Sequence, residues 1–176
     1  MVVLATKCYV EGSARERALD GMDALVGNAV GDLDVTWEIG VRHDDFVSVT
    51  VTGEDEVAAR NVLREAWGEV STGTGLTADE TYVGTLESWD EDGFVLDAGE
   101  RVRIPADQLG LGPGSPSQVR DRFGLVQHLP LRFVAGDPPR LADEERDRLF
   151  GWTRSDNGRL NVNSATRGEV RATINR

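Results

Sequence analysis

The chain has 176 residues, of which 39% are hydrophobic and 28% charged, so it can form one large or two small domains and is not intrinsically disordered. No run approaches the roughly 18 apolar residues of a membrane span, and the first residues are typical of a strand, not of a signal peptide. The single cysteine, Cys8, excludes an internal disulfide, and no Cys/His cluster could hold zinc. We therefore expect a cytoplasmic protein that needs no cofactor and no metal.

The first 70 residues predict strands and helices in the order β-α-β-β-α. Ser13 and Glu16 have the spacing of a capping box and predict the start of the first helix. Alternating apolar and polar residues predict two half-buried strands, and acidic residues precede the second helix. The predicted elements are a strand over 2–10, a helix over 13–30, strands over 35–41 and 47–52, and a helix over 54–70. This order predicts a ferredoxin-like domain over residues 1–70 and an α+β fold class.

A linker and a second domain of short strands follow. Residues 71–80 are rich in Ser, Thr and Gly, which is typical of a linker. Short strands separated by turn residues over 81–137 predict a small β-barrel. Its predicted elements are strands over 81–89, 93–99, 101–105 and 129–135, a helical turn over 106–109, and a helix that Ser115 or Ser117 caps and that ends near 126. Residues 138–176 predict a C-terminal extension with a helix over 141–150, a strand over 159–163 and a helix over 165–175.

Part of the second domain resembles the first half of an S1-type RNA-binding barrel. The matching segments are Gly84-Thr85-Leu86, Gly93-Phe94-Val95-Leu96-Asp97, and the eight residues from Val102 to Leu109. The resemblance implies an S1/OB-like barrel over residues 81–137. It also implies that Phe94 occupies the position where that family presents an aromatic ring to RNA.

The chain as a whole resembles an archaea-only family of unknown function. The segments that carry this resemblance are RFGLVQHLPLRFV at 122–134 and RLNVNSATRGEVRATI at 159–174. The resemblance implies an archaeal source, and the acidic composition would make this chain a haloarchaeal member.

The net charge of −12 at pH 7 is unevenly distributed along the chain. Lys7 is the only lysine, and an acidic, lysine-poor surface is typical of proteins from a cytoplasm with molar salt. A GC-rich genome, which replaces lysine by arginine codons, is the alternative explanation. Residues 1–100 contain 22 acidic and six basic residues, whereas residues 101–176 contain nine acidic and 13 basic residues. The positive second part favours a polyanionic partner, unless its charges form salt bridges with the first part.

Arginines and aromatic residues of the second part form the candidate RNA-binding set. Guanidinium groups bind phosphate through paired hydrogen bonds and stack on bases. Arg101 and Arg103 alternate on one predicted strand and therefore point the same way, and Trp89, Phe94 and Trp152 offer rings for stacking. The RNA-binding candidates are Phe94, Arg101, Arg103, Arg132, Arg154, Arg159, Arg167 and Arg171. The alternative is that the rings belong to the core and the arginines pair with carboxylates.

The remaining polar groups carry no motif of a catalytic or metal site. The acidic residues at 44–45 and 90–92 lie in predicted turns, where carboxylates are usually solvated. His128 is not accompanied by a nucleophile motif, and no P-loop is present. We therefore predict a non-catalytic RNA-binding protein associated with the translation or ribosome machinery, whose partner is RNA or a ribonucleoprotein. A protein–protein adaptor or dimerisation module and a small-molecule sensor are the alternatives.

Overall fold

The computed structural model describes residues 1–73, 75–154 and 167–175. The chain divides into two compact units, one containing Met1–Gly68 and the C-terminal helix, and the other containing Glu69–Arg159. The fold class is α+β, as predicted, with a three-stranded sheet in the first unit and a five-stranded sheet in the second. None of the helices in the described ranges combines the length and the apolar composition that crossing a membrane requires. The predicted strand over 159–163 lies outside the described residues.

The first unit has the predicted β-α-β-β-α order. Its central strand pairs in antiparallel fashion with both neighbours, because the order across the sheet is β1-β3-β2. Alternate residues of these strands, such as Val49, pack with Leu63 and Val26 of the helices in one apolar core. The elements are β1 (Val2–Lys7), α1 (Gly12–Val30), β2 (Val35–Val41), β3 (Phe46–Gly53) and α2 (Glu56–Trp67).

The start of α1 differs from the capping box that the sequence predicts. The helix begins at Gly12 and its N-cap residue is Glu11, whose side chain makes no capping hydrogen bond. Gly12 has a φ of 59°, a conformation that glycine adopts without steric cost. Ser13 consequently lies inside the first turn and not at its border, so the predicted capping role of Ser13 and Glu16 is wrong.

The second unit contains a five-stranded antiparallel sheet that curls into a half-barrel. The strand order is β6-β5-β4-β7-β8, and the two strands at opposite ends of this order, β6 and β8, contact each other. A 3₁₀ turn, Ala106–Gln108, follows β6. The elements are β4 (Thr81–Asp90), β5 (Gly93–Asp97), β6 (Arg101–Pro105), α3 (Pro116–Phe123), β7 (Pro130–Val134), β8 (Arg140–Leu141) and α4 (Asp143–Arg154). The C-terminal helix of the first unit is α5 (Arg167–Ile174).

Strand alternation places the core on the concave side of this sheet. In β6 the side chains of Val102 and Ile104 are buried, whereas Arg101 is exposed and Arg103 is partly exposed. This confirms the prediction that the two arginines share one side of the strand. Buried apolar residues from all five strands form one core with Leu149 of α4 and other helical side chains.

Helix α3 is defined by its end residues. Ser115 is the N-cap, since its hydroxyl accepts a hydrogen bond from the Gln118 backbone and the Gln118 side chain accepts one from the Ser115 N–H. This capping box selects Ser115 from the two predicted serines. Gly124, with a φ of 62°, ends the helix at Phe123, three residues before the predicted end.

Helix α4 begins at Asp143, two residues later than predicted. Leu141 pairs with Phe133 and belongs to β8, a two-residue strand that the sequence pattern did not indicate. The acidic residues Asp143, Glu144 and Glu145 occupy the first turn of α4, where negative charge complements the helix dipole.

Candidate nucleic-acid interface

Phe94 is not available for stacking on a base. Its side chain has 0% exposed surface and packs in the core with Leu86, Ile104 and Phe133. The ring points to the concave side because Phe94 pairs with Trp89 on β4 and Ile104 on β6, whose side chains face the same side. This burial corrects the expectation, taken from the S1 resemblance, that Phe94 presents its ring to RNA.

The two arginines of β6 differ in their environment. Arg103 donates two hydrogen bonds to the Asp90 carboxylate at the end of β4, with N···O distances of 2.7 and 2.9 Å. Arg101 is exposed, and its side chain makes no hydrogen bond or ion pair with the residues that the structure describes. Only Arg101 of this pair therefore has an uncommitted guanidinium group.

Acidic side chains surround Arg101 on the convex side of β4, β5 and β6. An open groove of about 420 Å³ there is lined by Glu87, Asp97 and Glu100 as well as by Arg101. Residues 76–112, which contain these three strands, carry nine acidic and two basic residues. A polyanion would be repelled by this charge, so the sheet face that the S1 resemblance indicates is a poor RNA surface.

Residues 113–154, which we call the arginine-rich segment, have the opposite balance. They include α3, β7, β8 and α4 and carry seven arginines and six acidic residues. Four guanidinium groups in this segment lie over aromatic rings at 4.6 to 5.6 Å from the ring centroid. The pairs are Arg120 with Trp89, Arg122 with Phe123, Arg148 with Trp152, and Arg154 with Phe150.

Two of these pairs, which we call the Arg–Trp stacks, combine a hydrogen-bonded guanidinium group with a partly exposed arginine side chain. Arg120 lies 4.6 Å from the Trp89 ring and donates to Asp121 Oδ1 at 2.7 Å, and 33% of its side chain is exposed. Arg148 lies 5.0 Å from the Trp152 ring, and 48% of its side chain is exposed. Hydrogen bonds from the N–H groups at the edge of a guanidinium orient the group and leave its flat faces free of hydrogen bonds.

A buried carboxylate positions the second Arg–Trp stack. Glu145 is 2% exposed; its Oε1 accepts a hydrogen bond from Arg148 Nε at 2.6 Å, and its Oε2 accepts one from the backbone N–H of Arg132 at 2.7 Å. Arg148 also donates to the carbonyl of Pro130 at 3.3 Å. Glu145 thus joins α4 to β7 and orients the Arg148 guanidinium.

The other predicted arginines are dispersed. Arg154 is exposed at the end of α4, where its guanidinium lies 5.6 Å from the Phe150 ring, and Phe150 in turn contacts Phe123 of α3 edge-on at 5.3 Å. Arg167 is the first residue of α5 in the first unit, and Arg171 is exposed on the same helix. Arg159 lies outside the described residues. Of the predicted set, the arginine-rich segment contains Arg132 and Arg154.

His128 belongs to a small polar cluster on β4. Its Nδ1 lies 2.9 Å from Glu87 Oε2, and the buried hydroxyl of Thr85 donates to Glu87 Oε1 at 2.7 Å. Within the described ranges, no group of three or more His, Cys, Asp or Glu side chains has the arrangement of a metal site. The cluster therefore connects β4 to the residues before β7.

The arginines of the two Arg–Trp stacks were absent from the sequence-predicted set, although both tryptophans were proposed as stacking residues. Arg148 precedes Trp152 by four positions, and this helical spacing brings the two side chains together. Trp89 and Arg120 are 31 positions apart, and they meet only because α3 packs against β4. The pair within α4 could have been found from the helix pattern, whereas the pair between α3 and β4 required the tertiary structure.

Two family models match adjacent parts of this chain. The DUF2110 N-terminal domain matches residues 1–73, and the DUF2110 central domain matches residues 76–153. No curated protein matches the sequence. Since the two matches together cover most of the 176 residues, the chain belongs to the DUF2110 family, which agrees with the resemblance to a family of unknown function.

Proposed function

We propose that this member of the DUF2110 family is a non-catalytic RNA-binding protein and that it contacts RNA through its arginine-rich segment. The observation that carries the proposal is the pair of Arg–Trp stacks, Arg120 on Trp89 and Arg148 on Trp152. Unpaired RNA bases stack on aromatic rings and on guanidinium planes. A partly exposed guanidinium that already lies over a tryptophan ring offers an incoming base a surface on which to stack.

The architecture supports an S1/OB-like barrel in the second unit and a ferredoxin-like domain in the first. Five antiparallel strands form a half-barrel, and α3 lies between its third and fourth strands. OB-type barrels are five-stranded, partly open and used for oligonucleotide binding. The β1-β3-β2 order with two intervening helices supports the ferredoxin-like assignment. We place this protein with the translation or ribosome machinery on the S1 resemblance alone.

Arg132 and Arg154 complete the proposed interface by binding phosphate. Both side chains are exposed, and neither forms an ion pair with a carboxylate in the part of the chain that the structure describes. An archaeal cytoplasm with molar salt would restrict electrostatic attraction to about 3 Å. Under those conditions short-range interactions, namely stacking and guanidinium–phosphate hydrogen bonds, are the ones that retain their strength.

The experiment that tests this function measures the affinity for a fluorescent single-stranded RNA as a function of KCl concentration. Replacing Arg132 and Arg154 together by Gln should reduce the slope of log K against log salt by about 0.7 to 1 for each phosphate that an arginine no longer neutralises. The control replaces Arg60 and Arg64 of α2 by Gln and should leave the slope unchanged. Lack of RNA binding by the unmodified chain at every salt concentration would overturn the proposal in favour of a protein adaptor.

A further inference from the structure

Strand β6 forms an open edge of the half-barrel. The Ala106 N–H donates to Asp92 O at 2.8 Å, and the Ala98 N–H donates to Glu100 O at 3.0 Å. With the register of β5 and β6, these two bonds show which residues of β6 direct their backbone groups towards β5. In an antiparallel pair the inward and outward backbone groups alternate along the strand. The N–H and C=O groups of Arg101 and Arg103 therefore point away from β5. In the described ranges no backbone group pairs with them, although β8 contacts β6.

A groove of about 410 Å³ runs beside this edge. It separates β6 from the segment that joins β7 to β8, so the unpaired backbone groups lie next to free volume. Most of its lining is apolar, with the β6 arginines and the carboxylates of Glu100 and Asp137 as the charged members. The apolar lining residues are Leu76, Ala78, Val102, Phe133, Ala135 and Pro139.

The charges of β6 decide which strand could pair with this edge. Arg101 and Arg103 project to the same side at alternate positions, and residues directly opposite on a paired strand lie about 5 Å away. A second copy of β6 would place arginine near arginine, which is unfavourable. A strand with acidic residues at alternate positions places a carboxylate near Arg101, the β6 arginine that has no ion-pair partner among the described residues, and turns its apolar residues towards the accessible apolar lining, Leu76, Ala78 and Pro139.

We propose that the β6 edge binds an extended peptide segment of a partner protein in which acidic and apolar residues alternate. Backbone hydrogen bonds to Arg101 and Arg103 supply sequence-independent affinity, as in other cases of strand addition. The Arg101 guanidinium, which has no ion-pair partner among the described residues, selects a carboxylate on the peptide. This binding is separate from the proposed RNA interface, because β6 lies outside the arginine-rich segment.

Acidic side chains near Arg101 limit how many carboxylates the partner segment can carry, since Asp97 lies directly opposite Arg101 on β5 and Glu100 precedes it in the sequence. The groove lining itself carries two arginines and two carboxylates, so it is locally neutral. Salt screens the repulsion between these carboxylates and those of the peptide, whereas the backbone hydrogen bonds of an added strand do not depend on charge. The side chains within the groove therefore determine the selectivity.

The test uses the full chain and an end-blocked nine-residue peptide that alternates Glu and Val. Amide hydrogen exchange measured by NMR should show protection of the Arg101 and Arg103 amides that increases at least about tenfold on peptide addition. A peptide with Lys in place of Glu should bind more weakly. Two further peptides carry N-methyl groups on every second amide, one on the odd-numbered and one on the even-numbered residues. Because alternate amides of a strand face opposite edges, one of these peptides should lose binding and the other should keep it.

A charge variant with a matched control tests the selectivity. Arg101→Glu should weaken peptide binding by about fivefold or more, whereas Arg132→Glu, an equal charge change on β7, should have no effect. Three results would overturn the proposal. The peptide could bind without protecting the two β6 amides, the two methylated peptides could bind equally well, or the Lys peptide could bind more tightly than the Glu peptide. Failure of the Glu–Val peptide to bind would also overturn the proposal. Protection of the same amides by oligouridylate would then assign the edge to nucleic acid.

Discussion

The Arg103 guanidinium donates two hydrogen bonds to the Asp90 carboxylate, from Nη1 to Oδ1 at 2.7 Å and from Nη2 to Oδ2 at 2.9 Å. The two residues belong to β6 and to the end of β4, with β5 between these strands. Asp90 Oδ1 also accepts hydrogen bonds from the backbone N–H groups of Asp92 and Gly93. The ion pair thus holds the β4–β5 turn against the edge strand β6. Because its guanidinium is bound to Asp90, Arg103 is not free to bind a ligand.

The first prediction concerns the ionisation of Asp90. The pKa of Asp90 is lowered from 3.8 to about 2, mainly by the hydrogen bonds from Arg103 and further by those from the Asp92 and Gly93 backbone. Because this pKa is lower in the folded state, the pair contributes stability above about pH 4, and the contribution is lost as the pH falls towards 2. Arg103→Gln should raise the pKa of Asp90, as measured by NMR titration of its carboxyl carbon.

The matched variant Arg101→Gln should leave the pKa of Asp90 unchanged. The difference in unfolding free energy between the original chain and Arg103→Gln should also shrink between pH 4 and pH 2. A difference that stays constant over this range would show that the Arg103 side chain stabilises the fold through packing and not through the Asp90 charge.

The second prediction concerns Glu145, which is 2% exposed. Glu145→Ala removes the acceptor for both the Arg132 N–H and the Arg148 guanidinium and leaves an unpaired backbone donor at the β7 edge. The free energy of unfolding, measured by urea denaturation, should fall by about 2–4 kcal/mol. Glu144→Ala, at the exposed neighbouring position, should change it by less than about 0.5 kcal/mol. Similar decreases in the two variants would contradict this role for Glu145.

Periodicity predicted the elements of this chain well where each element buries one face. The strand over 101–105 has the predicted bounds. Its arginine and aliphatic residues alternate, so only one face of the strand can pack on the core. β8 was not predicted because a strand of two residues is too short to show alternation of apolar and polar residues. Its pairing with β7 depends on the fold of distant residues.

The candidate site was harder to predict than the fold because the environment of a side chain is a tertiary property. Phe94 fits an S1-like pattern in sequence, yet its strand phase directs the ring into the core. In the sequence nothing pairs Arg103 with a carboxylate, whereas in the structure the β4–β5 turn places Asp90 beside it. Trp89 was a candidate for stacking, but the guanidinium that covers it comes from α3.

The third prediction concerns salt. The chain has 31 acidic and 19 basic residues, and 22 of the acidic ones lie in residues 1–100 with only six basic residues. Repulsion between these carboxylates opposes the compact state, and salt screens it. The unfolding temperature should therefore rise as KCl increases from the low millimolar to the molar range. Greatest stability in salt-free buffer would contradict adaptation to high salt and favour the codon-usage explanation for the scarcity of lysine.

The fourth prediction separates base stacking from phosphate binding in the proposed RNA interface. Arg120→Lys keeps the positive charge over Trp89 but removes the flat guanidinium face, so a base that stacks there loses its support. Since stacking contributes about 1–3 kcal/mol per base, the dissociation constant for single-stranded RNA should increase by about 5-fold to 150-fold. The slope of log K against log salt should stay unchanged, because the charge is retained.

Arg132→Lys is the matched substitution at a proposed phosphate-binding position. A lysine ammonium also binds phosphate as a point charge, so the affinity should change by about twofold or less. Circular dichroism and urea denaturation on the same samples establish that both variants are folded. If the two substitutions weaken binding equally, the guanidinium of Arg120 acts only through its charge. The Arg–Trp stacks would then be structural features of α3 and α4, and RNA binding through base stacking at this surface would be excluded.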